Sequence, residues 1–194
     1  MMRSAPSCFA AVAAAVGAGK TVAVVGDGAV GLLGVLAAKQ LGAERIIAMS
    51  RHEPRQKLAL EFGATDIVAE RGDVGVDAVK DLTNGLGAHS VIEAVGTQET
   101  MMQAIRSTRP GGHGGYVGVT HDVALPGMDL FFSHVHLHGG PAPVRRFLPD
   151  LIDRIWTRLI EPGKVFDLTL PLERAAEGYR AMDERTATKV LLTL

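Results

Sequence analysis

Residues 21–25 read Thr-Val-Ala-Val-Val, a β-branched apolar run, and the chain then turns through Gly26-Asp27-Gly28-Ala29-Val30-Gly31 into an apolar helical stretch. The order strand, Gly-x-Gly-x-x-Gly, helix restricts the fold more than any other feature. The first glycine permits a tight turn, the second clears room for backbone amides beside an anion, and the third lets helix and strand pack closely. A helix N-terminus carries roughly half a positive charge and unpaired N–H groups, so a diphosphate docks there without a basic side chain. The predicted helix Ala29–Leu41 closes on Gly42, and a strand over Arg45–Met49 completes a βαβ unit. A glycine turn that binds nothing is the bland alternative, and the βαβ context weighs against it.

The residues after the second strand bear on which dinucleotide is bound. NAD sites usually place an Asp or Glu there to accept from the ribose hydroxyls. This chain has Ser50-Arg51-His52, with Arg55 one helical turn on. A carboxylate repels a 2′-phosphate, whereas Ser and Arg bond it, each charged hydrogen bond contributing on the order of 1.5–3 kcal/mol. The expectation is NADP over NAD. A solvated helix start, with Pro54 in its first turn, is the competing account of the two arginines.

With 194 residues, 47% of them hydrophobic, the chain suffices for a domain with a real core and an appendage. Its net charge of −1 gives no electrostatic reason to expect nucleic acid or a membrane surface. The single cysteine, Cys8, excludes internal disulfides and fits a reducing cytoplasm. Arg3 followed by Cys8–Val16 loosely resembles a secretory leader, but the same stretch reads as a small-residue helix feeding the first strand. Ala14–Thr21, ending Gly-Lys-Thr, mimics a phosphate loop of an NTPase; it lacks the first glycine and precedes a strand where such a loop must follow one.

Further on, helices are expected over Pro54–Phe62 (stopped by Gly63), Val74–Leu82 and Gln98–Ser107. Strands are expected over Asp66–Ala69, His89–Ala94, Gly115–Val119 and His134–His138. Such alternation indicates an α/β doubly wound parallel sheet covered on both faces, with ligand at the carboxyl ends of the strands. Arg145–Leu159 is amphipathic, and the strand Asp167–Leu170, helix Leu172–Met182 and strand Thr188–Leu192 read as a separate small layer.

These segments resemble the medium-chain dehydrogenase superfamily, the zinc-type alcohol dehydrogenases and the zinc-free quinone reductases. The resemblance rests on VAVVGDGAVGLLGVLAAKQLGAERIIAMSRHEPRQKLALEFGATDIV, VIEAVGT, RPGG with YVGV after it, and FDLTLPLERAAEGYRAMDERTATKVLL. It implies NAD(P)-linked alcohol oxidation, or carbonyl or quinone reduction. It further implies that Gly26, Gly28, Ala29, Val30 and Gly31 cradle the pyrophosphate, and that Ser50 and Arg51 hold the 2′-phosphate. Val95 and Gly96 would lie by the adenosine ribose, Val117-Gly118-Val119 would offer a carbonyl to the carboxamide, and Lys189 would reach back to the phosphates. The implied organisation is a linking helix over 1–18, a dinucleotide-binding domain over 19–145 and a C-terminal segment over 146–194 that returns toward a catalytic domain.

The sequence departs from the family in having no counterpart of the N-terminal substrate domain of about 150 residues, with its Gly-His-Glu segment, zinc ligands and proton relay. No zinc is therefore expected, because Cys8 lacks a ligand-spaced partner and His52-Glu53 sits at the ribose end. His134, His136 and His138 alternate on an expected strand and so share a face, but no carboxylate accompanies them. His113 and His121 read as solvated loop residues. The expectation is a dinucleotide-binding portion of an oxidoreductase, inactive or weakly active alone; a non-enzymatic dinucleotide-binding subunit is the alternative. The helix Cys8–Val16 and the segment Leu168–Leu194 would ordinarily touch the missing domain, so self-association or a complementing domain is expected.

Overall fold

The computed structural model describes residues 4–194. Arg3 of the leader-like stretch lies outside the described residues. Helix α1 (Ser4–Ala13) precedes an alternating series: β1 (Thr21–Val25), α2 (Ala29–Gln40), β2 (Arg45–Met49), α3 (Glu53–Phe62), β3 (Asp66–Val68), α4 (Gly72–Asp81), β4 (Ala88–Glu93), α5 (Gln98–Ser107) and β5 (Thr108–Tyr116). Helix α6 (Gly127–Ser133), strand β6 (His136–Gly139) and helix α7 (Val144–Trp156) follow. A separate unit of β7 (Leu168–Pro171), α8 (Ala175–Asp183) and β8 (Val190–Thr193) ends the chain.

The six-stranded sheet is parallel throughout, in the order β3-β2-β1-β4-β5-β6. The order reverses between β1 and β4, and the crevice at such a switch point is where doubly wound folds take their ligands. Alternation sorts the strand residues between two cores. Val22, Val24, Ile46 and Ile92 pack with Leu32 and Val35 of α2, whereas Ala23, Val25, Ile47 and Val91 pack with Val79 of α4 and Ala104 of α5. Both faces of the central strands are buried, which explains their near-continuous hydrophobicity. Beside this sheet, β7 and β8 pair in parallel as a two-stranded layer around Leu170, Ala187 and Val190.

Several elements differ from the sequence expectation, each for a physical reason. Strand β5 begins at Thr108 directly after α5 and ends at Tyr116, so Val117–Val119 form a loop beyond it. The glycines that hid this strand are needed where α1 crosses it: a Cβ on Gly115 would lie 2.1 Å from the Ala10 carbonyl oxygen. Pro110, which has no N–H to give a ladder, falls where the β4–β5 register shifts. The alternation proposed for three histidines fails at its first member, because His134 terminates α6 in a left-handed conformation (φ 50°) and only His136 and His138 lie on β6. His113 is no solvated loop residue either; it sits half-buried on β5 with its ring stacked on His136 at 4.6 Å. Burial first, and the neighbouring His136 second, lower its pKa. Much of helix α1 is covered within this chain: Ala5, Ala10, Ala11 and, just after the helix, Ala14 are fully buried, and the Ser7 hydroxyl donates to the Val30 carbonyl at 2.8 Å, while Val12 stays exposed.

Candidate functional site

Three glycines build the turn after β1, and each does a different thing. Gly26 has φ 114°, a conformation that a side chain rarely accepts. A Cβ on Gly31 would stand 1.9 Å from the Gly26 carbonyl oxygen, so α2 can approach the turn only without one. Gly28, the N-cap of α2, has an ordinary φ of −74° and nothing within 4 Å of the place where a Cβ would be. The fold does not require glycine there. What a side chain at 28 would obstruct is the open cleft in front of the helix N-terminus.

That cleft encloses about 500 Å³ and runs along the carboxyl ends of β1, β2, β3 and β4, with Gly26, Gly28, Ser50, Arg51, Arg55, Arg71, Val95, Thr97 and Arg185 among its lining. The α2 amides point into it without competition, since no side chain caps the helix. On its far wall Thr97 caps α5, exchanging bonds with Thr100 in a reciprocal capping box. A smaller apolar cavity of about 170 Å³ between α1, α2 and α7 is walled mainly by aliphatic side chains and offers no comparable run of amides.

The floor of the cleft holds a carboxylate that sequence reasoning passed over. Asp27, only 8% exposed, accepts from the Ser50 hydroxyl at 3.0 Å and pairs with the Arg55 guanidinium at 3.2 Å. Ser50 and Arg55, both candidates for a phosphate, are thus tied to Asp27, whereas Arg51 stands exposed beside them. His52 is held below its usual pKa, first by burial and then by the charges of Arg55, Arg51 and Arg185 against the opposing pull of Asp27.

The other end of the site hangs on Glu93. Its Oε1 accepts from the amides of Val95 and Gly96, both at 2.8 Å, while the buried Oε2 has no partner among the described residues. Gly96 (φ 94°) lies so close to the following loop that a Cβ there would meet the Val119 carbonyl oxygen at 2.3 Å. Val95-Gly96 and Val117-Gly118-Val119 are therefore brought together as one backbone platform. The only hint in sequence was an acidic residue inside the apolar run Val91-Ile92-Glu93-Ala94-Val95.

Of the predicted residues, Gly26, Gly28, Ser50, Arg51, Arg55 and Val95 line the cleft, whereas Ala29, Val30, Gly31, Gly96, Val117, Gly118, Val119 and Lys189 do not, and the Lys189 ammonium lies 3.2 Å from the Met182 sulfur. From the same C-terminal unit it is Arg185 that reaches the cleft. Ala29, Val30 and Gly31 form the first turn of α2 behind the Gly28 cap. Among the described residues no three His, Cys, Asp or Glu side chains are grouped to hold a metal. The decoy Gly-Lys-Thr leads from a helix into β1, and the Lys20 ammonium donates to the Ala15 carbonyl.

Comparison with known proteins sets this geometry in context. Residues 29–156 match the zinc-binding dehydrogenase family. A protein described as a probable zinc-binding alcohol dehydrogenase of Mycobacterium tuberculosis is 36% identical over 179 residues, covering 91% of this chain and 45% of that protein. The NADP-dependent isopropanol dehydrogenase of Entamoeba histolytica is 33% identical over 172 residues, covering 86% of this chain and again 45% of its own length. An alcohol dehydrogenase from Thermus sp. ATN1 superposes with a TM-score of 0.90 at 31% identity, over all of this chain and 56% of its own. The chain thus spans about half the length of the relatives it matches.

Proposed function

Because the chain belongs to the zinc-binding dehydrogenase family, we propose that it is the dinucleotide-binding portion of an alcohol dehydrogenase-like oxidoreductase, taking NADP(H) in preference to NAD(H). The observation that carries the reading is Gly28: its backbone needs no glycine, its Cβ direction is empty, and it caps a helix whose free amides face the cleft. A bound nicotinamide cofactor supplies the hydride donor or acceptor for an alcohol–carbonyl interconversion.

In this assignment the amides at Gly28, Ala29, Val30 and Gly31 hold the pyrophosphate, and Gly26 sets the turn that aims them. Arg51 bonds the 2′-phosphate, with Ser50 and Arg55 beside it; Lys189, which lies outside the cleft lining, is assigned to the phosphates by the family resemblance alone. Val95 and Gly96 shape the ribose wall. Carbonyls of the Val117-Gly118-Val119 loop orient the carboxamide, and Glu93 positions that loop through its hold on residues 95 and 96. We assign 1–18 as the linking helix, 19–145 as the dinucleotide-binding domain and 146–194 as the segment that returns toward a substrate domain.

Substrate chemistry needs residues beyond this cleft, so a complementing domain or a second copy is part of the proposal. Exposed Tyr179, Leu191, Leu192 and Leu194 around the C-terminal unit support such a docking surface. No described helix is long and apolar enough to cross a membrane, and nothing in the charge of the chain favours nucleic acid. The lone free cysteine suits a cytoplasmic setting.

Isothermal titration with NADPH and NADH, on the chain as given and on Gly28→Ala, tests the reading. The expected result is NADPH binding that weakens roughly tenfold or more in the variant, equivalent to about 1.4 kcal/mol or more, with the thermal midpoint unchanged. Absence of dinucleotide binding, or indifference to the added methyl, overturns it.

A further inference from the structure

We infer that Arg185, delivered by the C-terminal unit, is a second cationic contact for the phosphorylated ribose and so a cofactor-specificity residue in its own right. This inference rests on the NADP reading above. Arg55, the sequence candidate for that task beside Arg51, is committed to Asp27 at 3.2 Å, and Ser50 donates to the same carboxylate. That leaves Arg51, which follows Ser50 directly, and Arg71, at the start of α4, as the other arginines of the lining, with Asp27 opposing a dianionic phosphate. Arg185 lines the same cleft, is exposed, and has no ion pair with a described residue. It lies close enough to His52, the neighbour of Arg51, for its charge to act there together with that of Arg51.

The backbone is arranged to put it there. Helix α8 ends in a left-handed turn at Arg185 (φ 60°), a conformation that arginine adopts only under constraint. The constraint is local: the Arg185 amide donates to the Met182 carbonyl at 3.3 Å, and the Ala187 amide and Thr186 hydroxyl both donate to the Ala181 carbonyl, at 3.0 and 3.1 Å. Ala187 is buried in the small core of the unit and anchors the turn. The turn that closes the helix thus presents the exposed Arg185 side chain to the cleft. Sensing of the 2′-phosphate would then also tie the C-terminal unit to the dinucleotide-binding domain.

The test uses the full chain with adenosine 2′,5′-bisphosphate and 5′-AMP, which differ only in the phosphate at issue, and titration calorimetry as readout. Arg185→Gln is expected to weaken bisphosphate binding roughly tenfold, the equivalent of one charged hydrogen bond, while 5′-AMP affinity changes little. Arg185→Lys should recover part of the loss. Arg185→Gly removes the same charge at a backbone angle that glycine accepts freely, so it should show the same selective loss with an intact or raised thermal midpoint. Arg51→Gln serves as the control for the underlying reading. If Arg51→Gln selectively loses the bisphosphate while both neutral variants at 185 do not, the inference about Arg185 fails and the NADP reading stands. Should the unsubstituted chain bind the two ligands alike, the NADP reading fails and carries this inference with it.

Discussion

The Asp27 carboxylate and the Arg55 guanidinium meet at 3.2 Å on the floor of the cleft, with only 9% and 11% of their side chains exposed. Removing either partner leaves a poorly hydrated charge, so both Asp27→Asn and Arg55→Gln should destabilise the fold, by about 2 kcal/mol, below the 3–5 kcal/mol of fully buried pairs. Their effects on anion binding should be opposite. Asp27→Asn releases Arg55 toward the cleft and removes a repelling carboxylate, which raises NADPH affinity relative to NADH. Arg55→Gln leaves Asp27 uncompensated and lowers it. Paired titrations with the two cofactors on each variant decide the matter, and changes of the same sign would mean the pair is purely structural.

The glycines at 28 and 31 predict a clean separation of stability from binding. A methyl at Gly31 must displace the Gly26 carbonyl oxygen from 1.9 Å, an overpacking that should cost about 3 kcal/mol and move the turn. A methyl at Gly28 meets nothing, and alanine tolerates φ −74°, so stability should stay within about 0.5 kcal/mol. Chemical denaturation of Gly31→Ala and Gly28→Ala measures both. Equal stability losses would show that the two glycines serve the same packing role.

Much of this architecture is legible in the chain because the central elements announce themselves locally. The β-branched run at 21–25, the apolar run at 46–49 and the glycine stops at 42 and 63 each reflect an interaction within a few residues, and all appear at the expected places. The fifth strand is obscured because its composition answers to α1, some hundred residues earlier in sequence, through Gly115 and the Ala10 carbonyl. Asp27 occupies a variable position of the glycine motif, and its two partners come from the residue after β2 and from α3; such pairing follows from tertiary structure alone. Arg185 is concealed for the same reason, since a left-handed arginine carries no local signature. Sequence periodicity reports the layers well and the floor of the site poorly.

Glu93 is a further case in which one side chain holds a platform. Its Oε1 takes both the Val95 and Gly96 amides at 2.8 Å, within a residue only 1% exposed. Glu93→Ala would leave two amides without their acceptor, at a cost of about 3 kcal/mol, and would loosen the close approach of Gly96 to Val119. Glu93→Gln keeps one acceptor oxygen and should recover a large part of the stability. Denaturation midpoints of the two variants, with amide exchange at residues 95 and 96, provide the check; fast exchange in the unsubstituted chain would contradict the capping role.

Cys8 should react slowly. Burial first, with the Asp150 carboxylate adding to it, pushes its thiol up to about 11 from an ordinary 9.0. Since the thiolate is the nucleophile, two pKa units predict alkylation at pH 8 about 100-fold slower than for an unperturbed thiol. Iodoacetamide kinetics followed by mass spectrometry, with and without denaturant, measure the ratio. Comparable rates in the two conditions would mean that α1 leaves the cavity wall readily.

Acid should loosen the C-terminal unit at a single point. The Asp167 carboxylate, ahead of β7, accepts from the Thr188 amide at 2.8 and 2.9 Å and from the Lys189 amide at 3.1 Å, joining the start of β7 to the approach of β8. Burial alone would raise its pKa, but these donors outweigh burial and hold it below the ordinary 3.8. A carboxyl group whose native pKa is depressed adds stability above its unfolded pKa, and that contribution disappears as pH falls through the native value. Asp167→Asn should therefore be less stable than the unsubstituted chain at neutral pH, and the difference should shrink below about pH 4. Because this bond network helps hold the unit that carries Arg185, the variant should also weaken NADPH more than NADH at neutral pH. Thermal midpoints from about pH 6 to pH 3, with cofactor titrations at neutral pH, test both halves; a stability difference constant across that range would place the origin of the effect outside the ionised carboxylate.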